Sequence, residues 1–170
     1  QLVKARTILE EIMPYADGKV IEYALPKIPL SWYFEGAEYH LSQQYDKALV
    51  CYQNALKGFI ELGKTDDEIS VLRHIAEIKE ILYDVTGSEN AYKQALYLSR
   101  QTGKSDTQME FLKELWKIGK TIGDVQQAQA YAASIDSLVD ATSDLQTKYT
   151  YYNQKGNEAR DLGQYGIAEQ

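Results

Sequence analysis

Proline is scarce in this sequence, which has three prolines among 170 residues. Two of them, Pro26 and Pro29, lie close together near the start, and none follows Pro29. Because proline removes a helical hydrogen bond and clashes with the preceding turn, it interrupts helices. So long a proline-free stretch favours a mostly helical protein.

Basic charge and long apolar runs are also missing. The net charge is −7 and the pI is about 4.9, whereas proteins that bind phosphate backbones are usually basic. We therefore expect no nucleic acid to be bound by this segment. No apolar run approaches the roughly 18 residues of a membrane-spanning helix, so no span is expected. The single cysteine, Cys51, excludes an internal disulfide but does not indicate a compartment, and cytoplasm and periplasm both stay open.

Motifs for catalysis or metal binding are absent from the sequence as well. Only two histidines occur, His40 and His74, and no His, Cys, Asp or Glu group has metal-ligand spacing. There is neither a glycine-rich phosphate loop nor a Gly-x-Ser-x-Gly motif. We expect no catalytic residue, no metal and no cofactor, and a surface or packing role for each histidine.

What the sequence does contain is an internal repeat with a 40-residue period, and four units align without a gap. Small residues recur at two positions of the unit, with Trp116 as the exception at the first, and large apolar residues recur at a third. The aligned sets are Gly36, Ala76, Trp116 and Gly156; Ala48, Ser88, Ala128 and Ala168; and Trp32, Leu72, Leu112 and Tyr152.

Each unit contains two stretches in which apolar residues recur with a helical period, separated by a turn. The predicted helices span 29–43, 45–62, 67–83, 88–102, 106–122 and 124–141, and a further one starts near 145. Gly63 and Gly103 are predicted to end helices as C-caps between units. A final turn is expected at Gly163-Gln164, with the next helix starting near Gly166.

The start of the chain is predicted to be the second helix of an incomplete unit, over residues 2–16. Its inward residues are predicted to be Val3, Ile8, Leu9, Ile12 and Met13. Residues 17–30 are predicted to form an irregular connection.

These elements predict one all-α domain over residues 1–170, with about three complete repeats and a partial repeat at each end. The predicted segments are a partial repeat at 1–16, a connection at 17–30, repeats at 29–64, 65–104 and 105–144, and a partial repeat at 145–170. Because such arrays usually end in polar caps, we expect a longer parent protein.

The unit that begins at Pro29 resembles the tetratricopeptide repeat, whose pattern is W-x2-L-G-x2-Y followed by A-x3-F. The matching residues are Trp32, Gly36, Tyr39, Ala48, Tyr52 and Ala55. The longer period is similar to that of repeats in bacterial signalling proteins and in kinesin light chains. A HEAT-type array is the alternative on period alone. The resemblance implies a right-handed α-α superhelix of helix pairs, in which the first helix of each pair lines a concave, ligand-binding groove.

The exposed stripe on these first helices is the candidate peptide-binding surface. Its members are Tyr33, Ala37 and His40; Arg73, Glu77 and Glu80; Lys113, Lys117 and Lys120; and Asn153, Asn157 and Arg160. The stripe becomes basic toward the end of an acidic chain, which favours an acidic peptide or a carboxylate as ligand. The alternative is a solvated face with i,i+3 pairs such as Glu114–Lys117 and Glu110–Lys113.

We therefore expect a non-catalytic module that binds a protein or peptide, as the scaffold or sensor segment of a larger bacterial signalling protein. One alternative is an oligomerisation module whose open repeat ends stack on each other, and another is an accessory subunit of an enzyme. Trp116 replaces the small residue found in the other units. We predict that it is largely buried near Ala128 or Ala132.

Overall fold

The computed structural model describes residues 2–161, and within this range the side chains of residues 3–157. The secondary structure in that part of the chain is helical, so the prediction of an all-α protein is confirmed. The helices are α1 (Leu2–Ile12), a short 3-10 turn (Met13–Tyr15), α2 (Gly18–Ala24), α3 (Lys27–Leu41), α4 (Tyr45–Glu61), α5 (Thr65–Ile81), α6 (Val85–Gln101), α7 (Ser105–Ile122), α8 (Val125–Ala141) and α9 (Leu145–Asp161). The last predicted turn and helix, at Gly163-Gln164 and Gly166, lie outside the described residues. No helix in the described range has both the length and the apolar character that crossing a bilayer requires.

Consecutive helices pack against each other as pairs. α3 packs on α4 and α5 packs on α6, and each partner is reached through a short turn that reverses the chain direction. This is the architecture of an all-α helical repeat built from antiparallel helix pairs.

The repeat seen in the sequence consists of two half-repeats of equal length. From α4 to α9 the helices begin at an even spacing of half a period, at Tyr45, Thr65, Val85, Ser105, Val125 and Leu145. A residue with positive φ recurs at the same spacing in the turns, at Gln43, Gly63, Tyr83, Gly103 and Gly123. The half-repeat is therefore one helix followed by a left-handed turn, except after α8, where Thr142 at the helix end is extended.

The turn after α4 shows how such a helix is ended. The Gly63 amide donates to the Ile60 carbonyl at 3.1 Å, and the Lys64 amide donates to the Phe59 carbonyl at 2.9 Å. These two bonds form a Schellman motif, which satisfies carbonyls that the helix itself leaves without a donor. The predicted C-cap roles of Gly63 and Gly103 are confirmed by their φ values of 62° and 69°.

The chain divides into two compact units, here called unit 1 (Gln1–Phe111) and unit 2 (Leu112–Gln170). Tyr52, Ile78 and Phe111 are fully buried in the core of unit 1, and Leu115 and Val139 are fully buried in the core of unit 2.

Small residues let helices approach closely, at different positions in the two units. A Cβ added to Gly36 on α3 would lie 2.9 Å from ring carbons of Tyr52 on α4. In unit 2 the close approach is at Gly119 on α7, where an added Cβ would lie 3.2 Å from the Ala128 backbone nitrogen. Trp116 fills the position equivalent to Gly36, so the contact between small residues has moved along α7 by about one turn.

The connection predicted to be irregular over residues 17–30 is largely helical, which corrects that prediction. The Asp17 carboxylate caps α2 by accepting from the amides of Lys19 and Val20, both at 3.0 Å. Pro29 lies in the first turn of α3, where amides have no helical acceptor, so the helix tolerates a proline there.

The inward face predicted for α1 is wrong in part. Val3, Ile8 and Ile12 are exposed, whereas Arg6 is buried. The Arg6 guanidinium lies 3.2 Å from the centre of the Trp32 ring and 2.7 Å from a carboxylate oxygen of Glu35. α1 is therefore held on α3 by a cation–π contact and an ion pair rather than by an apolar stripe.

Candidate functional site

A cleft of about 180 Å³ opens in unit 2 between α7, α8 and α9. Its apolar part is formed by Trp116, Ala132 and Ile135, of which Ile135 is buried. Basic side chains stand around this apolar part. The remaining lining residues are Lys113, Lys117, Tyr151, Gln154 and Lys155.

Trp116 is half-buried and lines the cleft together with Ala132. Its predicted proximity to Ala132 is thus confirmed, whereas Ala128 packs against Gly119 instead. Ala132 takes the place that Tyr52 and Tyr92 hold in the earlier repeats. The smaller side chain leaves part of the indole uncovered, which creates the cleft.

The three lysines of α7 differ in the contacts that their ammonium groups make with other side chains. Lys117 Nζ donates to both carboxylate oxygens of Glu114, at 2.8 and 2.9 Å. Lys120 Nζ lies 4.4 Å from the centre of the Trp116 ring. Lys113 is exposed and forms no ion pair with any described residue. The expected i,i+3 pair Glu114–Lys117 is therefore present, but it neutralises one lysine of the three.

The other expected pair, Glu110–Lys113, does not form. Glu110 instead accepts a hydrogen bond at 2.9 Å from Arg73, whose guanidinium also lies 5.5 Å from the centre of the Phe111 ring. Arg73 is thereby held within unit 1, and Lys113 is left exposed at the cleft without an ion pair to any described residue.

The α9 side of the cleft is fixed by Asp136 of α8. Lys155 Nζ donates to both Asp136 oxygens at 2.7 and 2.9 Å, and the Tyr151 hydroxyl donates to one of them at 2.8 Å. The predicted stripe residues Asn153 and Asn157 are exposed on α9, but they do not line the cleft. The Arg160 side chain lies outside the described residues.

Tyr151, Gln154 and Lys155 line the cleft but were not predicted as site residues, although their spacing contained the signal. They stand at i, i+3 and i+4, which places them together on one face of α9. The predicted stripe contained Asn153 and Asn157 instead, because these residues align with Lys113 and Lys117 of α7 in the 40-residue repeat.

A second group of polar residues meets in unit 1, between α3 and α5. His40, His74 and Glu77 each offer a ligand atom, and these three atoms lie within 4.8 Å of one another. The sequence shows no metal-ligand spacing for these residues, and it is the fold that brings them together. The two histidines are far apart in the sequence and lie on different helices, so only the packing of the helix pairs brings them together.

His74 is the centre of this group, which we call the histidine cluster (Tyr33, His40, Tyr52, His74 and Glu77). His74 Nδ1 lies 2.9 Å from a carboxylate oxygen of Glu77, and its Nε2 lies 3.1 Å from the Tyr33 hydroxyl. Since a carboxylate only accepts, Nδ1 carries the proton of the neutral ring, and Nε2 accepts from the tyrosine.

The pKa values of the cluster favour an ionised Glu77 carboxylate and a neutral His40 imidazole. Burial lowers the pKa of His40, the charge of Glu77 raises it, and His74 lowers it further, with a net decrease. Burial alone would raise the pKa of Glu77, but the hydrogen bond with His74 and the electrostatic influence of His74, His40 and Arg73 lower it overall. Glu77 is thus anionic and His40 neutral near pH 7.

Tyr52 forms the buried wall of the cluster. Its ring stacks on His74 with 5.3 Å between ring centres and 15° between planes. Its hydroxyl is buried and has no hydrogen-bond partner among the described residues. Burial, Tyr33 and Glu77 all raise the pKa of this hydroxyl, so it stays protonated. An unsatisfied buried hydroxyl costs about 1–3 kcal/mol.

Among the predicted stripe residues of unit 1, the structure therefore brings Tyr33, His40 and Glu77 together. His74 and Tyr52 complete the cluster and were not predicted as site residues. Glu80, another stripe residue, accepts from the Tyr92 hydroxyl at 3.4 Å instead.

Another cleft, of about 390 Å³, lies in unit 1 between α4, α5 and α6. It is lined largely by apolar side chains, including those of Leu56, Leu72 and Leu98. Its charged lining residues are Glu68 and Lys93, one of each sign. It therefore offers less charge selectivity than the cleft in unit 2.

Comparison with known proteins supports the fold of this chain but does not assign a function to it. No protein-family model and no curated protein sequence matches the chain. Among solved structures, the chain is similar to BtubC (BKLC) from P. vanneervenii, with a TM-score of 0.65, 17% identity, and coverage of 99% of this chain and 75% of BtubC. This likeness supports the helical-repeat fold, and at such identity it carries no information about ligands.

Proposed function

We propose that this chain is a non-catalytic repeat module of the tetratricopeptide type, which binds an acidic segment of a partner protein in the cleft of unit 2. The observation that carries the proposal is a half-buried tryptophan, Trp116, in an open cleft that lysines surround.

The size of the cleft favours a peptide side chain over a small molecule. Pockets for drug-sized ligands usually enclose about 300–1,000 Å³, and this cleft has about 180 Å³. An apolar side chain of the partner would pack against the Trp116 indole. Tryptophan in a pocket is a frequent source of most of the binding energy at interfaces.

The charges around the cleft favour acidic residues next to that anchor. Lys113 forms no ion pair with a described residue, so a ligand carboxylate would pair with it without breaking an existing contact. Because the whole chain carries −7, a local basic surface would attract an acidic segment to this cleft specifically. Such complementarity acts on the association rate and on specificity more than on affinity.

The parent protein we propose is a bacterial signalling protein, in which this module is a scaffold or sensor segment. The support is the resemblance of the long repeat unit to the longer tetratricopeptide-type repeats. Fold alone does not fix function, so the cleft is the feature to test.

The test uses fluorescein-labelled synthetic peptides and fluorescence anisotropy at several salt concentrations. One peptide set carries a single Leu or Phe among Glu and Asp residues, and a matched set replaces the acidic residues with Lys. We expect binding of the acidic set only. Lys113→Glu should weaken it about tenfold and reduce its salt dependence. Trp116→Ala should weaken it by a similar or larger factor.

The matched control is Lys57→Glu, which makes the same charge change at an exposed lysine of α4 in unit 1. Asp136 is unsuitable as a control because it holds Lys155 and Tyr151 at the cleft. Equal losses for Lys57→Glu and Lys113→Glu would indicate general attraction to the surface. Equal affinity for acidic and basic peptides would reject the proposal.

A further inference from the structure

The histidine cluster has the donor set of a metal site. We propose that His40, His74 and Glu77 bind one divalent transition-metal ion of the Zn²⁺ class, with one ligand atom from each residue. This inference concerns unit 1 and is independent of the peptide cleft.

The spacing of the donors suits coordination after a small adjustment. The three candidate atoms lie within 4.8 Å of one another, and ligands around tetrahedral zinc are about 3.4 Å apart for bonds of about 2.0–2.1 Å. His74 and Glu77 stand at i and i+3 on α5 and so lie on one face of the helix. Inward Glu and His residues at this spacing build metal sites in other helical proteins. His40 reaches the same point from α3.

The chemistry of the donors narrows the class of ion. Two imidazoles and one carboxylate are ligands that zinc, copper, nickel and iron accept, whereas calcium and magnesium prefer sets made of oxygen. Three protein ligands leave a position for water, as in zinc sites of the two-histidine, one-glutamate type.

The surroundings of His74 support coordination through Nδ1. When Nδ1 binds a metal, the ring proton sits on Nε2, which then donates to the Tyr33 hydroxyl at the observed separation of 3.1 Å. Metal-binding histidines usually donate their other ring proton to such a partner, which fixes the orientation of the ring. Tyr52 stacks on the same ring and limits its rotation.

The buried Tyr52 hydroxyl supports a metal site independently of the positions of the three ligand atoms. It has no hydrogen-bond partner among the described residues, and its ring lies against both histidines. A cluster used for packing alone would leave this hydroxyl unsatisfied at a cost in stability. A water molecule on a metal held by His40, His74 and Glu77 would supply the missing partner. All three ligand side chains are partly exposed, so an ion has a route of entry.

The experiment uses the full chain without a histidine tag, stripped with EDTA and titrated with Co²⁺, whose visible absorption reports coordination. Zn²⁺ is then added as a competitor. We expect one Co²⁺ per chain, displaced by one Zn²⁺. His40→Gln and Glu77→Gln should each weaken binding at least 100-fold, and Tyr33→Phe should weaken it about 10–100-fold, as removal of an orienting partner does.

The matched control is Glu38→Gln, which removes an exposed carboxylate from the same helix as His40. It should leave the affinity unchanged. His74→Gln removes the stacked ring and is included only if circular dichroism shows a folded protein. If His74→Gln does not fold, His40→Gln tests the histidine ligands by itself, because His40 is partly exposed and its replacement disturbs the packing less.

Three results would overturn the proposal. These are fewer than one Co²⁺ per chain at saturation, unchanged affinity in folded His40→Gln and Glu77→Gln, or a thiolate charge-transfer band, which would assign the ion to Cys51. Peptide binding is measured without metal and at another unit, so failure here leaves the proposed function standing.

Discussion

Cys51 shows how one buried side chain is made inert. Burial, together with the nearby Glu35 carboxylate and partly opposed by Arg6, raises the pKa of its thiol to about 11. Since the thiolate is the reactive form, both burial and the low thiolate fraction slow its chemistry.

We therefore predict that Cys51 reacts with a disulfide reagent at pH 8 at least about 100-fold more slowly in the native protein than in the unfolded chain. Thiol titration with and without urea measures both rates. Immediate stoichiometric labelling of the native protein would show that α4 opens far more easily than its packing indicates.

Gly36 is a residue whose lack of a side chain is required by packing. A Cβ there would lie 2.9 Å from the Tyr52 ring and 3.3 Å from the Cys51 Cβ. Tyr52 cannot retreat, because it is fully buried and stacked on His74. Gly36→Ala should therefore destabilise the protein by about 1–3 kcal/mol in urea unfolding.

Gly18→Ala is the control for the Gly36→Ala substitution. It lies in α2, and nothing is within 4 Å of the place that a Cβ would take. Gly18→Ala should leave stability unchanged or raise it by up to about 1 kcal/mol. Similar losses at both glycines would show that the close approach of α3 and α4 is not what limits Gly36.

At the scale of the helix, the left-handed turn residues can be compared directly. Tyr83 has φ of 59° and is 90% exposed, so its side chain gains little to offset the strained backbone. Gly103 holds the equivalent position one half-repeat later with φ of 69°. Left-handed backbone costs a residue with a Cβ about 1–2 kcal/mol, which glycine avoids.

We predict that Tyr83→Gly raises the free energy of unfolding by about 0.5–1 kcal/mol, and that Gly103→Ala lowers it by about 1 kcal/mol. Urea denaturation of both variants tests the pair. If both changes act in the same direction, the strain at these turns is relieved in some other way.

The turn between α5 and α6 makes stability depend on pH. The hydrogen bond from Lys79 lowers the pKa of Asp84, and the Gly87 amide lowers it further. A carboxyl whose pKa is lower in the folded state stabilises the protein above the unfolded value, about 3.9, and this contribution disappears as pH falls through the folded value.

Asp84→Asn should therefore destabilise the protein at pH 7, and the difference from the parent chain should shrink as the pH approaches 3. The measurement is urea unfolding at several pH values. A difference that stays constant with pH would mean that the hydrogen bond at the cap, rather than the charge, is what matters.

The sequence predicted the positions of the helices well, but it predicted less well which face of each helix is buried. Helix positions follow from apolar spacing and from glycines such as Gly63, which are local signals. The burial of Arg6 in place of Ile8 depends on what α1 meets, namely Trp32 and Glu35 on another helix. The meeting of His40 with His74 likewise depends on helix packing, which the aligned repeat columns do not encode.

At the scale of the whole molecule, the repeat predicts which deletions are tolerated. Gly63-Lys64 and Gly103-Lys104 stand at equivalent positions before α5 and α7. Deleting residues 65–104 joins Lys64 to Ser105, so the junction reads Gly-Lys-Ser as it does naturally. We expect this shortened chain to keep a helical circular dichroism spectrum and a cooperative thermal transition, at lower stability.

Deleting residues 85–104 alone should not be tolerated in the same way. It removes only α6, so α7 would follow α5 directly. Each later helix would then occupy the position of the other helix in its pair and run in the opposite direction. We expect loss of the cooperative transition. If the two deletions behave alike, the half-repeats are interchangeable and the pairing of α5 with α6 is not specific.

The even spacing of helix starts from α4 onward also restricts how such a chain can vary in length. One residue inserted within a helix rotates everything after it by about 100°, which turns buried positions toward water. Residues added to a turn avoid that rotation but displace the left-handed residue that ends the helix. Length can therefore change smoothly only at the ends of the array, and inside it only in whole pairs of helices. For this chain, duplication and loss of complete repeats is a far easier route to a new binding surface than insertion of single residues.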